Sequence, residues 1–230
     1  MKKNLITLNL KIIKCKKCKR LVEFRSKIAK EKRKKFINEV YWGKPVTGYG
    51  DPKAQLLIIG LAPAAHGGNR TGRVFTGDKS ADFLFKCLFK VNLSNQPNSD
   101  YRDDGLELHN VYLTPALKCV PPEDKPTSEE LKTCFSFLKA EFDLLDKTNT
   151  ILALGKIAFD ACVNFYKENY PIKRKDYIFS HGSKYLLPDN KILVASYHPS
   201  PRNVNTRRIN VPKMVLLLES VKKIMKEGKW

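Results

Sequence analysis

The chain has 230 residues, 42% of them hydrophobic, which suits one large domain with a real core. No apolar run approaches the ~20 residues that cross a bilayer, so a helical membrane span is excluded. Against 23 Asp and Glu stand 43 Lys and Arg, a formal net charge of +20, and the first 40 residues alone hold 15 basic and 3 acidic side chains. Such an excess favours a polyanionic partner such as nucleic acid, because neutralising phosphates releases condensed counterions.

The opening MKKNLITLNLKIIKC imitates a signal peptide only weakly. Asn9 and Lys11 interrupt its apolar part and no small-residue cleavage site follows, so a cytoplasmic protein is expected. From about Cys18 to Tyr41 the spacing of Leu21, Phe24, Ile28 and Phe36 predicts a helix within a basic arm of about residues 1–45. Gly43, Pro45, Gly48, Gly50 and Pro52 then mark a loop. AQLLIIG (54–60) reads as a buried strand, SADFLFKCLFKV (80–91) as a helix capped by Ser80, and LHNVYLTPAL (108–117) as a second strand. Thr127 with Glu130 three residues later forms a capping box that opens a helix over 127–145. A strand (150–155), a helix (156–167), short strands near 177–187, a strand (191–198) and an amphipathic helix (211–228) complete the order.

Strands alternate with helices and are apolar on both faces. This predicts a single domain over 1–230 of the α/β class: three layers, α/β/α, around a central, mainly parallel four-stranded sheet. Ligands of such sheets bind beyond the carboxyl ends of the strands, and the two unusual loops, GLAPAAHGGNRTGRVFTGD and SYHPSPRN, lie there.

Of six cysteines, Cys87 and Cys162 fall on apolar helix faces and are expected in the core. Cys15 and Cys18 have metal-ligand spacing, and Cys119 and Cys134 flank VPPEDKPTSEELKT. By count, four thiolates suit zinc and an iron–sulfur cluster equally, with a structural role: pinning the basic arm to the sheet.

The loop after the first strand nearly contains a phosphate-binding signature. Gly67 and Gly72 are correctly spaced, but Arg73 and Val74 stand where Lys and Ser or Thr are required, which excludes a nucleoside triphosphatase. What remains is a pocket wall: small residues admit a flat ligand, Phe75 is placed to stack on it, and Asp78 offers a carboxylate at its edge. Among the histidines, His198, in a His-Pro pair after a buried strand, is better placed as a donor than His66 or His181, and His109 is expected in a strand as a core or rim residue.

These residues resemble a known family. GLAPAAHGGNRTGRVFTGDKSADFL is very similar to the first motif of family 5 (type B) uracil-DNA glycosylases, and SYHPSPRN to the second motif of the uracil-DNA glycosylase superfamily. Cys15, Cys18, Cys119 and Cys134, with KCVPPEDKPTSEE, resemble the ligand pattern of its iron–sulfur branches. The resemblance implies a monomeric α/β enzyme of base excision repair that flips a damaged base from DNA and hydrolyses its N-glycosidic bond, and a 4Fe-4S cluster on the four cysteines. It further implies that Asp78 positions water or stabilises the cationic sugar and that His198 donates to the departing base. Phe75 would stack on the base, with Gly60, Ala62, Ala64 and Ala65 walling its pocket. Asp124 would face the base edge, a departure from the Asn of some relatives. Asn69, Arg70, Arg202 and Arg207 are the expected DNA contacts, with Arg208 a further candidate. A non-catalytic nucleic-acid-binding module with a four-cysteine metal site is the alternative, but it leaves both loops unexplained.

Overall fold

The computed structural model describes residues 4–228. Six strands form one sheet in the order β1 (Tyr49–Gly50), β3 (Val111–Pro115), β2 (Leu56–Gly60), β4 (Thr150–Leu154), β6 (Ile192–Ser196), β5 (Lys184–Leu186). The four central strands are parallel, and the two edge strands are antiparallel to their neighbours. The expected four-stranded sheet is therefore the core of a six-stranded one. The edges are two and three residues long and only part-buried, too short to print a period of two.

Side-chain alternation sorts each central strand between two apolar layers. Leu56, Ile58, Val111, Leu113, Leu152 and Val194 face one layer, where α4 (Lys79–Lys90) and α8 (Val211–Glu227) pack. Leu57, Ile59, Tyr112, Ile151, Ala153 and Leu193 face the other, against α5 (Ser128–Leu144) and α6 (Lys156–Asn169). Every residue of the four central strands is buried, which is why they read as unbroken apolar runs. Cys87 and Cys162 are fully buried, as expected.

The capping box of α5 is present in both halves: Thr127 Oγ1 accepts from Glu130 N, and Glu130 Oε2 accepts from Thr127 N at 2.8 Å. The N-terminal segment departs from expectation. Residues Leu5–Ile13 form a helix, α1, which packs on α5, while α2 runs only from Lys19 to Glu31 and a short 3-10 turn follows at Lys34–Phe36. Lys32 ends α2 with φ +57°, a left-handed conformation that breaks the helical path. Two further short helices, α3 (Gly68–Thr71) and α7 (Pro201–Asn205), lie inside the two unusual loops. Among the described residues no helix is long and apolar enough to cross a membrane.

Candidate active site

Where the parallel strands end, the chain opens a cavity of about 770 Å³, a volume ample for a nucleobase with its sugar. Gly60 at the end of β2, Pro115 at the end of β3, Leu154 and Gly155 after β4, and His198 after β6 all line it. Ala62, Ala64, Phe75, Asp78 and Asp124 line it as well, whereas Ala65 does not.

Two local conformations shape the wall. Phe75 has φ +48°, costly for an aromatic residue and tolerated where the surroundings over-determine it. Its ring lies over Gly60, where an added Cβ would come within 2.5 Å of Phe75 Cζ, so only glycine fits beneath it. Arg73, the residue that breaks the phosphate-loop pattern, is buried and donates to Thr76 Oγ1 and Ser99 Oγ at 2.9 and 3.0 Å while pairing with Asp104 at 2.7 Å. It locks the turn carrying Phe75 to the 99–106 loop.

Asp78, and not Ser80, caps α4. Its Oδ1 accepts from Ser80 N at 2.9 Å and Ala81 N at 3.1 Å, leaving Oδ2 outside the cap. Burial raises its pKa above the ordinary carboxylate value, the two backbone donors oppose that rise, and nearby Asp82 and Asp124 add to it. Asp124 itself is exposed at the mouth, in a turn where Glu123 and Asp124 both have positive φ.

His198 is held through its backbone: Asn203 Nδ2 donates to its carbonyl at 2.8 Å, and Ser200 caps α7 by accepting from Asn203 N. Its ring has no hydrogen-bond partner among the described residues. Burial alone lowers its pKa to about 4, so the imidazole is neutral at physiological pH. A carboxylate and a neutral imidazole thus line one cavity. The rival histidines are occupied elsewhere. His66 Nδ1 meets Tyr41 OH at 3.0 Å, and His181 Nδ1 accepts from Tyr197 N at 3.3 Å while its ring stacks on Tyr197. His109 precedes its strand and is exposed.

The expected DNA contacts divide. Arg202 lines the cavity; Arg207 does not, and Arg208 takes its place. Asn69 and Arg70 are corrections. Asn69 is 1% exposed with Nδ2 on Arg25 O, and Arg70 is 4% exposed, donating to His66 O and pairing with Glu39. Both hold the loop together from inside. Gly155, Lys156 and Asn203 also line the cavity and were not singled out in the sequence, and Ser80, expected only as a helix cap, lines it too. Gly155 and Lys156 carried a usable signal, since they turn a buried strand directly into a helix at the ligand-binding edge.

On the far side of the first motif, Cys15, Cys18, Cys119 and Cys134 line a second, smaller cavity with Leu21, Leu117 and Phe137. Among the described residues no group of three or more His, Cys, Asp or Glu side chains is arranged to hold a metal ion, and all six cysteines are free thiols. Burial pushes the Cys119 thiol up to about 12 and the Cys134 thiol up to about 11, and the neighbouring cysteines raise both further. Lys118 N donates to Cys134 Sγ at 3.3 Å.

A family model described as the uracil DNA glycosylase superfamily matches residues 47–222, a span that begins before β1 and ends within α8. A type-5 uracil-DNA glycosylase of Thermus thermophilus is 42% identical over 210 residues, covering 91% of this chain and 93% of that protein. One from Pyrobaculum aerophilum is 43% identical over 208 residues, covering 90% and 88%. A type-4 uracil-DNA glycosylase of Thermotoga maritima is more distant, 28% identical over 192 residues, covering 80% and 84%. With the sheet, the two loops and these relatives in agreement, the chain belongs to the uracil DNA glycosylase superfamily, and within it to the type-5 family.

Proposed function

We propose that this chain excises deaminated bases, uracil first, from DNA by hydrolysing the N-glycosidic bond and leaving an abasic site. The observation that carries the proposal is the pairing, in one cavity at the strand ends, of a carboxylate with a neutral imidazole, with the ring of Phe75 in the same lining. Cleavage of a base from its sugar passes through an oxocarbenium-like sugar and a departing anion. One side therefore needs negative charge and the other a preorganised donor.

In this mechanism the base is flipped into the cavity and stacks on Phe75, a contact worth roughly 1–3 kcal/mol against the few kcal/mol that flipping costs. Asp78, ionised, orients the water and stabilises the sugar cation through Oδ2. His198, neutral, donates to the base oxygen that gains charge. A neutral donor loses no proton to the base, so it stabilises the anion without neutralising it. Arg202, Arg208 and Lys156 ring the mouth and take the flanking phosphates. The small side chains of Gly60, Ala62 and Ala64 leave room for a purine, which supports a range extending to hypoxanthine and other lesions. Asp124 reads the base edge from the rim.

The same proposal places a 4Fe-4S iron–sulfur cluster on Cys15, Cys18, Cys119 and Cys134. Supporting it, thiols from the N-terminal arm and from the β3–α5 segment converge on one cavity, where burial and mutual repulsion disfavour four uncompensated thiolates. Bound there, a metal group would offset the thiolate charge and cross-link the basic arm to the sheet. Cysteines that form no disulfide among the described residues fit a cytoplasmic setting, where the enzyme acts as a monomer on DNA.

The test is incubation with uracil-containing duplex DNA followed by alkali. Strand cleavage at uracil, lost in Asp78→Ser, is expected; DNA binding without cleavage on any deaminated base would leave only a binding module. Iron and acid-labile sulfide in protein purified without oxygen check the cluster, and a colourless protein carrying stoichiometric zinc would refute it.

A further inference from the structure

One buried side chain connects the cysteine cavity to the catalytic loop. Arg25, on α2, is 5% exposed. Its guanidinium donates to Gly43 O at 2.6 Å and to Cys15 O at 3.3 Å. Its own carbonyl accepts from Asn69 Nδ2. Gly43 N and Trp42 N donate in turn to the carbonyls of Asn69 and Arg70 at 3.0 and 2.8 Å. Arg70 bonds the carbonyls of His66 and Gly77, the residue before Asp78. An unbroken series of bonds therefore runs from the backbone of Cys15 to the edge of the catalytic carboxylate.

Two features of Arg25 have no explanation in that role alone. Its Nε is buried with no acceptor among the described residues. Buried polar atoms are nearly always bonded, so an unfilled donor asks for a partner. Nor does any carboxylate pair with Arg25 among the described residues, although a buried cation is ordinarily matched by an anion. The cysteine site lies beside it: Arg25 holds the Cys15 carbonyl, and Leu21 and Val22, one turn earlier on α2, line the cysteine cavity. Four thiolates around a divalent ion or an iron–sulfur core carry net negative charge, so a filled site supplies both the missing anion and a sulfur acceptor.

We infer that Arg25 is the counter-ion of the group held by Cys15, Cys18, Cys119 and Cys134, with its Nε–H donating to one of their sulfurs, and that it ties this group to the loop carrying Asp78. The inference rests on the proposed metal site but not on which metal fills it.

The experiment uses the full-length metal-loaded protein. Iron, sulfide and zinc are assayed first in the unaltered protein; absence of all of them refutes the metal site itself before any variant is compared. Arg25→Met removes the charge, and Arg25→Lys keeps it without the two-pronged donor. Ile224→Ala, 1% exposed on α8 and outside the lining of both cavities, supplies a loss of stability unrelated to the site. Metal loss to a chelator and amide exchange of residues 67–72 are followed. Arg25→Met is expected to lose metal at least ~10-fold faster than the unaltered protein, and the loop amides to lose protection. Ile224→Ala, at a similar melting temperature, keeps its metal. Arg25→Lys restores metal retention but not loop protection, because one ammonium cannot span two carbonyls. Should Arg25→Met not fold, Arg25→Gln takes its place with the same expectation. Metal loss in the uncharged variant no faster than in Ile224→Ala, or no better retention in Arg25→Lys, overturns the inference.

Discussion

Gly67 and Asp78 face each other so closely that a Cβ on Gly67 would overlap the Asp78 carboxylate at Oδ2. One carboxylate thus has three neighbours with different demands: the α4 amides on Oδ1, the loop backbone against Oδ2, and the open cavity. Gly67→Ala must push the side chain aside. A displacement near 1 Å costs about 10²-fold in a preorganised site, and single-turnover excision should fall by that order while overpacking costs about 1–3 kcal/mol of stability. Unchanged excision would show that Oδ2 plays no part in the chemistry.

Capping and chemistry at Asp78 separate by substitution. Ser is as good an N-cap as Asp, so Asp78→Ser should keep the helix start and lose excision. Asp78→Ala should lose excision and a further ~1 kcal/mol of stability. Chemical unfolding compared with single-turnover rates resolves the two effects. A Ser variant with normal excision would leave Asp78 a helix cap and nothing more.

Beneath the cysteine cavity lies a buried ion pair: Lys118 Nζ to Glu141 Oε2 at 2.6 Å, with Thr114 Oγ1 bonded to both. Lys118 is 1% exposed and Glu141 0%. Glu141→Leu alone should cost about 3–5 kcal/mol, because it strands a buried ammonium. Lys118→Met with Glu141→Leu should recover most of that loss, since an apolar pair of similar size needs no desolvation. Denaturant midpoints at constant slope check both, and additive losses would show that the pair is not coupled.

The parts of the molecule that were legible from sequence follow a physical pattern. The central strands announce themselves because both faces are buried, and Thr127 with Glu130 does so because a reciprocal cap needs those two side chains at that spacing. The short edge strands and α7 lack enough residues to show a period. Asn69 and Arg70 misled because polar side chains in a glycine-rich loop read as surface, whereas here they satisfy the loop's own carbonyls and tie it to the arm. Asp78 was expected at the pocket wall, and it lines the cavity, but not as the cap of α4, since Ser80 offered a rival cap two residues on. Arg25 carried no signal: on a helix full of Lys and Arg, only packing distinguishes the one that is buried.

The exposed charge of the arm should set the salt dependence of DNA binding. Lys30, Lys34 and Lys35 are exposed at and beyond the end of α2. Each phosphate contact adds about 0.9 to the slope of log affinity against log salt, so replacing all three by Ala should flatten that slope by roughly 2–3. The loss should be equal for uracil-containing and undamaged duplexes, because phosphate contacts position without specifying. A slope unchanged in the triple variant would assign this charge to another partner.

The pH dependence separates the two proposed catalytic groups by sign. His198 has a folded-state pKa of about 4, below the ordinary 6.5, so the unfolded chain binds more protons between those values. Its contribution is fully present above pH 6.5 and is lost as pH falls toward 4, and His66 and His181, also lowered by burial, act in the same direction. Asp78 is shifted upward, so ionising it costs folding stability as pH rises through its raised pKa. His198→Gln should therefore flatten the acid side of the stability profile, and Asp78→Asn should steepen it. Excision is expected to rise with pH through one acid limb, set by Asp78, and then to stay level, because the neutral imidazole has no proton left to lose in that range. Single-turnover rates at saturating enzyme across pH 4–9 provide the check. Were His198 to act as an imidazolium, the rate would instead fall as pH passed the ordinary imidazole range near 6.5, and that fall would vanish in His198→Gln. A descending limb of that kind would overturn the assignment of a neutral donor.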